Sequence, residues 1–369
     1  LVRPGERIAI VVNDITRLVH SDLFLPVLVD ELNHAGILDK DIFIVFALGL
    51  HRPQTPEEQR LIVGEEIARR IALYDHDCND RENLVHIGRT SRGNEVWVNR
   101  RVREADRVIL TGEIIYHLVA GYSGGRKSLV PGVAGAETVT FNHKLIFDPR
   151  CKCGNLEDNP AHEDLLEACQ LFGPDFLLNV VLNPIGELVR VVSGHYQQAH
   201  RAGCETVDQM FRVPIAESYD LVIASAGGFP LDIDLRQAHK GMENAANAVR
   251  PGGTLIYFAE CLDGSGSRAF EQFTEPFRSS AKMEQELRQV FAVGPHKAYW
   301  MARLGERVRI FLVSTLPDGF ARNCHVIPAS DPQAVLDAAL AEAGASARVA
   351  TVPYAGFTLP VLVGQAVPV

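Results

Sequence analysis

Short apolar runs alternate with amphipathic stretches along the chain. RIAIVVND (7–14) is a continuous apolar run that ends in polar residues, the pattern of a strand buried on both faces. SDLFLPVLVDELNHAG (21–36) follows and predicts a helix, with Ser21 as its N-cap and Gly36 as its stop, despite Pro26. DIFIVFALGLH (41–51) predicts a second strand. TPEEQRLIVGEEIARRI (55–71) predicts a helix with Thr55 as N-cap, Pro56 at the first position and acidic residues in the first turn. RVILTGEI (107–114) predicts another strand. Alternation of this kind implies a parallel sheet covered on both faces, with its site beyond the carboxyl ends of the strands.

A second series begins near residue 216. YDLVIASAGGFP (219–230) reads as a strand and a glycine turn, and LRQAHKGMENAANAV (235–249) as a helix. RPGGTLIYFAE (250–260) and ERVRIFLVS (306–314) read as strands. DPQAVLDAALAEAG (331–344) reads as a helix capped by Asp331 and closed by Gly344. The strand-like tail RVATVPYAGFTLPVLV (348–363) is expected to return to the first domain; 262–298 has no clear pattern. The fold expected is α/β: two α/β domains with parallel-type sheets, 1–215 plus 348–369 and 216–347.

Length agrees, since 369 residues are long for one core. A net charge of −10 argues against nucleic acid as partner, because a phosphate backbone needs a basic surface. It leaves room for a small anion held by a local cluster of cations. Seven cysteines, at 78, 151, 153, 169, 204, 261 and 324, form no disulfide framework and suggest a reducing cytoplasm. Cys151 and Cys153 are the one close pair, read as free thiols in a loop. No apolar run reaches membrane-spanning length.

Four clusters carry candidate chemistry. Asp14-Ile-Thr-Arg17 sets a carboxylate and a guanidinium at a strand end; alone it reads as a helix-capping pair as readily as a grip on a ribose or carboxylate. His51, before Arg52-Pro53, is a stiffened perch for an acid/base group. GYSGGRKS (121–128) nearly spells a phosphate-binding loop, with Arg126 where its second glycine belongs. Gly121, Gly124 and Gly125 are expected to leave amides open to an anionic group, with Arg126 and Lys127 adding charge. A phosphate-loop lysine opens a helix, however, and VPGVAG (130–135) would interrupt one, so the nucleotide-hydrolase reading is the weaker. His117 precedes Lys127 by ten residues and His143 follows it by sixteen. The fourth cluster, Gly227-Gly228-Phe229-Pro230 with Asp232, Asp234, Arg236, Gln237, His239 and Lys240, offers cations and an amide on one helix face.

Together these motifs resemble the lactate racemase family, the nickel-dependent 2-hydroxyacid racemases and epimerases. The match is carried by D-x-T-R (14–17), H-R-P (51–53), H-x-x-A-G-Y-S-G-G-x-K (117–127), N-H (142–143) and G-G-F-P-x-D…Q-x-x-K (227–240), in order along nearly the whole chain. The resemblance implies two α/β domains with the active site in the cleft between them. It implies a nickel pincer nucleotide, a pyridinium-3,5-bisthiocarboxylic acid mononucleotide, anchored covalently on Lys127, with His143 as the protein's nickel ligand. Asp14, Gly124, Gly125 and Arg126 would contact the cofactor, or Asp14 would order the histidines. His51 and His117 would be the two acid/bases, and Arg17, Arg236, Gln237 and Lys240 would hold substrate. Cofactor-building enzymes would be required partners, so protein expressed alone is expected to lack the group. A homodimer is compatible with this reading.

The implied chemistry suits the residues. Deprotonating Cα beside a carboxylate is hard, whereas moving a hydride to a pyridinium carbon gives a flat 2-keto acid. Two enantiomers then need two bases, and imidazole, with an ordinary pKa of about 6.5, both gives and takes a proton. One position departs: lactate-acting relatives are usually aromatic where Arg236 stands. The added cation favours a second carboxylate, as in malate. A sugar-acid epimerase and a non-catalytic family member are the remaining alternatives. Relatives also carry more residues ahead of the first motif than this chain, which opens on Leu1, so part of the first domain is expected to be missing.

Overall fold

A computed structural model describes residues 1–277, 279–292 and 294–363. The chain divides into two compact units, Leu1–Gln209 and Met210–Val369. Among the described residues no helix is long and apolar enough to cross a membrane.

The first unit is built on a six-stranded sheet. Its order is Leu188–Gly194, Phe176–Leu182, Arg107–Glu113, Ile8–Val12, Ile42–Phe46 and Ala72–Asp75. All neighbours are parallel except the edge strand Leu188–Gly194. IAIVV and IFIVF are buried at every position, which explains their unbroken apolar character. Ile8, Ile10, Val12, Ile44 and Phe46 pack with Leu25 and Val29 of the Ser21–His34 helix and Ile62, Val63 and Ile67 of the next two helices.

The order of these strands decides where chemistry can sit. From Ile8–Val12 the chain moves to one edge through Ile42–Phe46 and Ala72–Asp75. It then returns to the other side of the first strand with Arg107–Glu113. The direction reverses between Ile8–Val12 and Arg107–Glu113. In α/β sheets, sites form beyond the carboxyl ends of the strands at such a reversal.

Two boundaries differ from the sequence reading. The first helix begins at Ser21, with His20 as its cap residue in a left-handed conformation and no side-chain cap bond. His20 is held there by its Nε2 contact with Gly186 O at 2.6 Å. The expected 55–71 helix is two helices, Pro56–Val63 and Glu65–Arg70, broken at Gly64. The first of these has the predicted Thr55 cap, as a reciprocal capping box with Glu58.

The second unit has a wholly parallel five-stranded sheet. Its order is Ile327–Pro328, Arg309–Val313, Val249–Phe258, Tyr219–Ser225 and Val349–Val352. The tail therefore does not return to the first domain. Val349–Val352 completes this sheet beside Tyr219–Ser225, and Leu359–Leu362 pairs with Arg212–Ile215. An open edge of the second sheet, with its unpaired amides and carbonyls, takes up the strand. The unpatterned stretch 262–298 contributes the helices Arg268–Thr274 and Ser280–Gln289 and the start of Pro295–Arg307.

Ile44 is wholly buried in the middle of the first sheet. Ile44→Ala is expected to lower stability by about 3 kcal/mol in a denaturant titration, the usual cost of a buried cavity of that size.

Candidate active site

Asp14, His51 and His117 each follow the carboxyl end of one of three adjacent parallel strands. The Asp14 carboxylate is buried and takes two bonds. Thr16 Oγ1 donates to Oδ1 at 2.7 Å, and His51 Nδ1 lies 2.5 Å from Oδ2. A carboxylate can only accept, so His51 carries its proton on Nδ1 and its lone pair on Nε2. Burial pushes the Asp14 carboxyl up, but the bonds from His51 and Thr16 and the charge of Arg17 outweigh it and leave it lowered. The His51 side chain is half exposed, open to a substrate.

His117 has the opposite surroundings. It sits in a small hairpin, Tyr116–His117 against Gly121–Tyr122, whose two tyrosine hydroxyls donate to Asp208. Its Nδ1 accepts backbone N–H bonds from Val119 and Ala120, both 3.2 Å. The neutral ring therefore carries its proton on Nε2. That nitrogen faces Lys127 Nζ at 3.2 Å.

Lys127 is buried on a 3-10 turn, Gly125–Ser128. Burial, then the charges of Arg17 and Arg126, push its amine well below the ordinary lysine value. The ammonium form is therefore disfavoured at this position. Arg17 acts on both Lys127 and Asp14, so one cation ties the two groups together. Ser128 Oγ donates to Thr111 O at 2.7 Å and pins the turn to the central sheet. No α-helix opens at Lys127, so the loop is not a phosphate loop in geometry.

The glycines and Arg126 have a different role from the one expected. The Gly125 amide is not open to a ligand: it donates to Asn179 Oδ1 at 2.8 Å. Both glycines have left-handed φ angles, +69° at Gly124 and +56° at Gly125. A Cβ on Gly124 would lie 2.8 Å from Asn179 Oδ1, and one on Gly125 would lie 2.7 Å from the His200 ring. They are glycines because the protein approaches them closely. Arg126 is almost wholly buried and turned into the protein. Its Nη2 donates to Ala120 O (2.6 Å) and Tyr122 O (3.0 Å), and its Nη1 lies 2.7 Å from His200 Nε2, which also faces Ser123 O at 2.9 Å. Burial pushes its pKa down to about 10. Asn179 and His200 had no motif to mark them; each lies in an ordinary strand or helix pattern.

His143 ends the Ala136–His143 helix. Its Nδ1 donates to Val139 O at 2.8 Å, one turn back, which places the lone pair on Nε2, the arrangement of a metal-binding imidazole. Among the described residues no group of three or more His, Cys, Asp or Glu is placed to hold a metal.

In the second unit, Leu235–Ala246 is capped by Asp234, which accepts from the Gln237 amide at 2.7 Å. Lys240 Nζ donates to Gln237 Oε1 at 2.6 Å, so these two residues form one polar group on the helix, as their spacing predicts. Arg236 lies beside them, 3.9 Å from Asp234.

Residues 1–154 match the lactate racemase N-terminal domain, and 215–359 the lactate racemase C-terminal domain. The chain is 34% identical to a lactate racemase of Thermoanaerobacterium thermosaccharolyticum over 315 residues, 84% of this chain and 73% of that protein. It is 32% identical to a lactate racemase of Lactiplantibacillus plantarum over 360 residues, 96% of this chain and 84% of that protein. The solved lactate racemase apoprotein from T. thermosaccharolyticum superposes with a TM-score of 0.90 at 31% identity, covering 97% of this chain and 87% of that one. A Thermotoga maritima protein shares the fold, with a TM-score of 0.72 at 18% identity, covering 97% and 94%.

The lowered Lys127 amine has a signed consequence for stability. Unfolding lets the amine take up a proton at any pH between its lowered folded value and the ordinary 10.5. Its burial therefore costs stability at neutral pH, and the cost fades as pH rises toward 10.5. Lys127→Met is expected to melt above the wild-type apoprotein at pH 7, with the gap narrowing by about pH 10; thermal melts followed by circular dichroism check both points.

Proposed function

This chain is a racemase of the lactate racemase family, and on that premise we propose that it is a nickel-dependent 2-hydroxyacid racemase acting on a dicarboxylic substrate such as malate. The observation that carries the reading is the group formed by Lys127, His117, Arg17, Asp14 and His51 at the carboxyl ends of adjacent strands.

The residues fit a nickel pincer nucleotide. A buried amine held neutral is a nucleophile ready for acylation, which is what a covalent anchor at Lys127 requires. His143 would supply one nitrogen ligand, and the pincer group would bring the rest of the metal's ligands. When bound, that group supplies a hydride acceptor and donor.

The side chains then manage protons and charge. His51 Nε2 takes the substrate hydroxyl proton as the Cα–H bond breaks, and Asp14 stabilises the imidazolium that results. His117, turned by its amide contacts to present Nε2, exchanges the proton of the opposite enantiomer. Arg17 grips the carboxylate next to the reacting carbon. Arg236, Gln237 and Lys240 are assigned to substrate by the family motif, and Arg236 adds the cation that a second carboxylate calls for. Burial of Lys127, with the charges of Arg17 and Arg126 near it, disfavours its ammonium form; once Lys127 is acylated, Arg17 remains as the cation for substrate.

Holo-protein made beside the cofactor-building enzymes should racemise malate faster than lactate in a chiral separation. Arg236→Tyr should reverse that order, with malate turnover falling at least tenfold, the loss expected when a charged carboxylate contact is removed. Lactate racemisation far faster than malate by the unmodified holo-protein would overturn the substrate assignment.

Metal analysis tests the anchor and the ligand separately. The Lys127 peptide should carry added mass in the same preparation, and His143→Ala should lose nickel while keeping that mass. Nickel retained in full by His143→Ala would remove His143 from the metal.

A further inference from the structure

We propose that the protein binds one small inorganic anion, a halide such as chloride, in a cavity beneath the glycine loop, between Arg126, His162, Tyr196, His200 and Arg201. The cavity leaves about 10 Å³ for the centre of a water-sized sphere, room for a single water molecule or halide ion and too little for sulfate or phosphate.

Its lining contains no carboxylate. Arg126 is the central cation, 2% exposed. Four of its five N–H groups lie on the two Nη atoms, which donate to Ala120 O and Tyr122 O and face His200 Nε2, all uncharged groups. The fifth, Nε–H, has no hydrogen-bond partner among the described residues, and neither has His162 Nδ1 on another wall of the same cavity. Both are buried donors or donor-capable nitrogens without a partner, which folded proteins seldom tolerate.

The missing element is negative charge. The groups nearest Arg126 that could supply it are the thiols of Cys169 and Cys204. Burial pushes Cys169 up to about 12 and Cys204 higher still, so both stay neutral. Arg201 is already engaged by Glu157 at 3.0 Å, on the exposed side. His162 and His200 are held neutral by burial, with Arg126 adding to the effect. A guanidinium out of water with no counter-charge is costly. A water molecule would satisfy Nε–H but leave the charge unopposed, whereas a halide would do both. Such an ion would also offset part of the positive field that Arg126 exerts on Lys127.

The test uses the apoprotein, melted at constant ionic strength while sodium gluconate is exchanged for sodium chloride or bromide. The melting temperature should rise saturably with either halide, by about 4 °C at ten times the dissociation constant. His162→Phe, which fills the cavity, should abolish the halide-specific rise. Crystals grown in bromide should show an anomalous peak beside Arg126 Nε. Melting that is the same in gluconate and halide, or a bromide-grown crystal without that peak, means a water-filled cavity and overturns the proposal. The bromide experiment decides the matter on unaltered protein if His162→Phe does not fold.

Discussion

One buried guanidinium organises the site. Arg126 lies beneath the loop that carries His117 at one end and Lys127 at the other, and its Nη atoms gather the carbonyls of Ala120 and Tyr122. Those carbonyls face inward, away from water, and need a donor. Holding them turns the chain tightly enough for the Val119 and Ala120 amides to meet His117 Nδ1. It also brings Lys127 onto a short turn whose next residue, Ser128, is tied to the central strand. Without it each of those inward-facing carbonyls would be left unpaired at about 1–3 kcal/mol, so the loop depends on it.

Around that loop, two histidines are prepared in opposite ways by neighbours that cannot change role. A carboxylate accepts from His51, and two backbone amides donate to His117. The first leaves a lone pair on Nε2, the second a proton on Nε2. The inequality between the two rings is built into backbone and carboxylate geometry. Lys127, whose amine is pushed down by burial and two neighbouring cations, is the third group shaped by its surroundings.

Much of this was legible in the chain. The unbroken apolar runs IAIVV and IFIVF announced buried parallel strands, because a strand covered on both faces has no polar side to show. The polar residues just past them, Asp14 and His51, lie at the carboxyl edge, as the α/β alternation requires. The spacing of Gln237 and Lys240 put them in contact on one helix face. Other features were misread for reasons of packing. Gly124 and Gly125 looked like openings for a ligand, yet Asn179 and His200, more than fifty residues away in sequence, fill the space against them. Arg126 looked like surface charge for a cofactor, yet it faces inward. The tail was expected to return to the first domain, and an open edge in the second sheet took it.

What the sequence determined by itself was local and periodic: which stretches are strands and helices, where the chain turns, and which titratable residues stand at strand ends. These follow from spacing and from the steric preferences of each residue. Only the tertiary structure decided the order of the strands, and with it the reversal between Ile8–Val12 and Arg107–Glu113. It also decided which nitrogen of each histidine carries the proton, which direction Arg126 faces, and that the Lys127 amine is pushed down by burial. Each of these depends on burial and on partners far away along the chain, and a linear pattern carries no record of either.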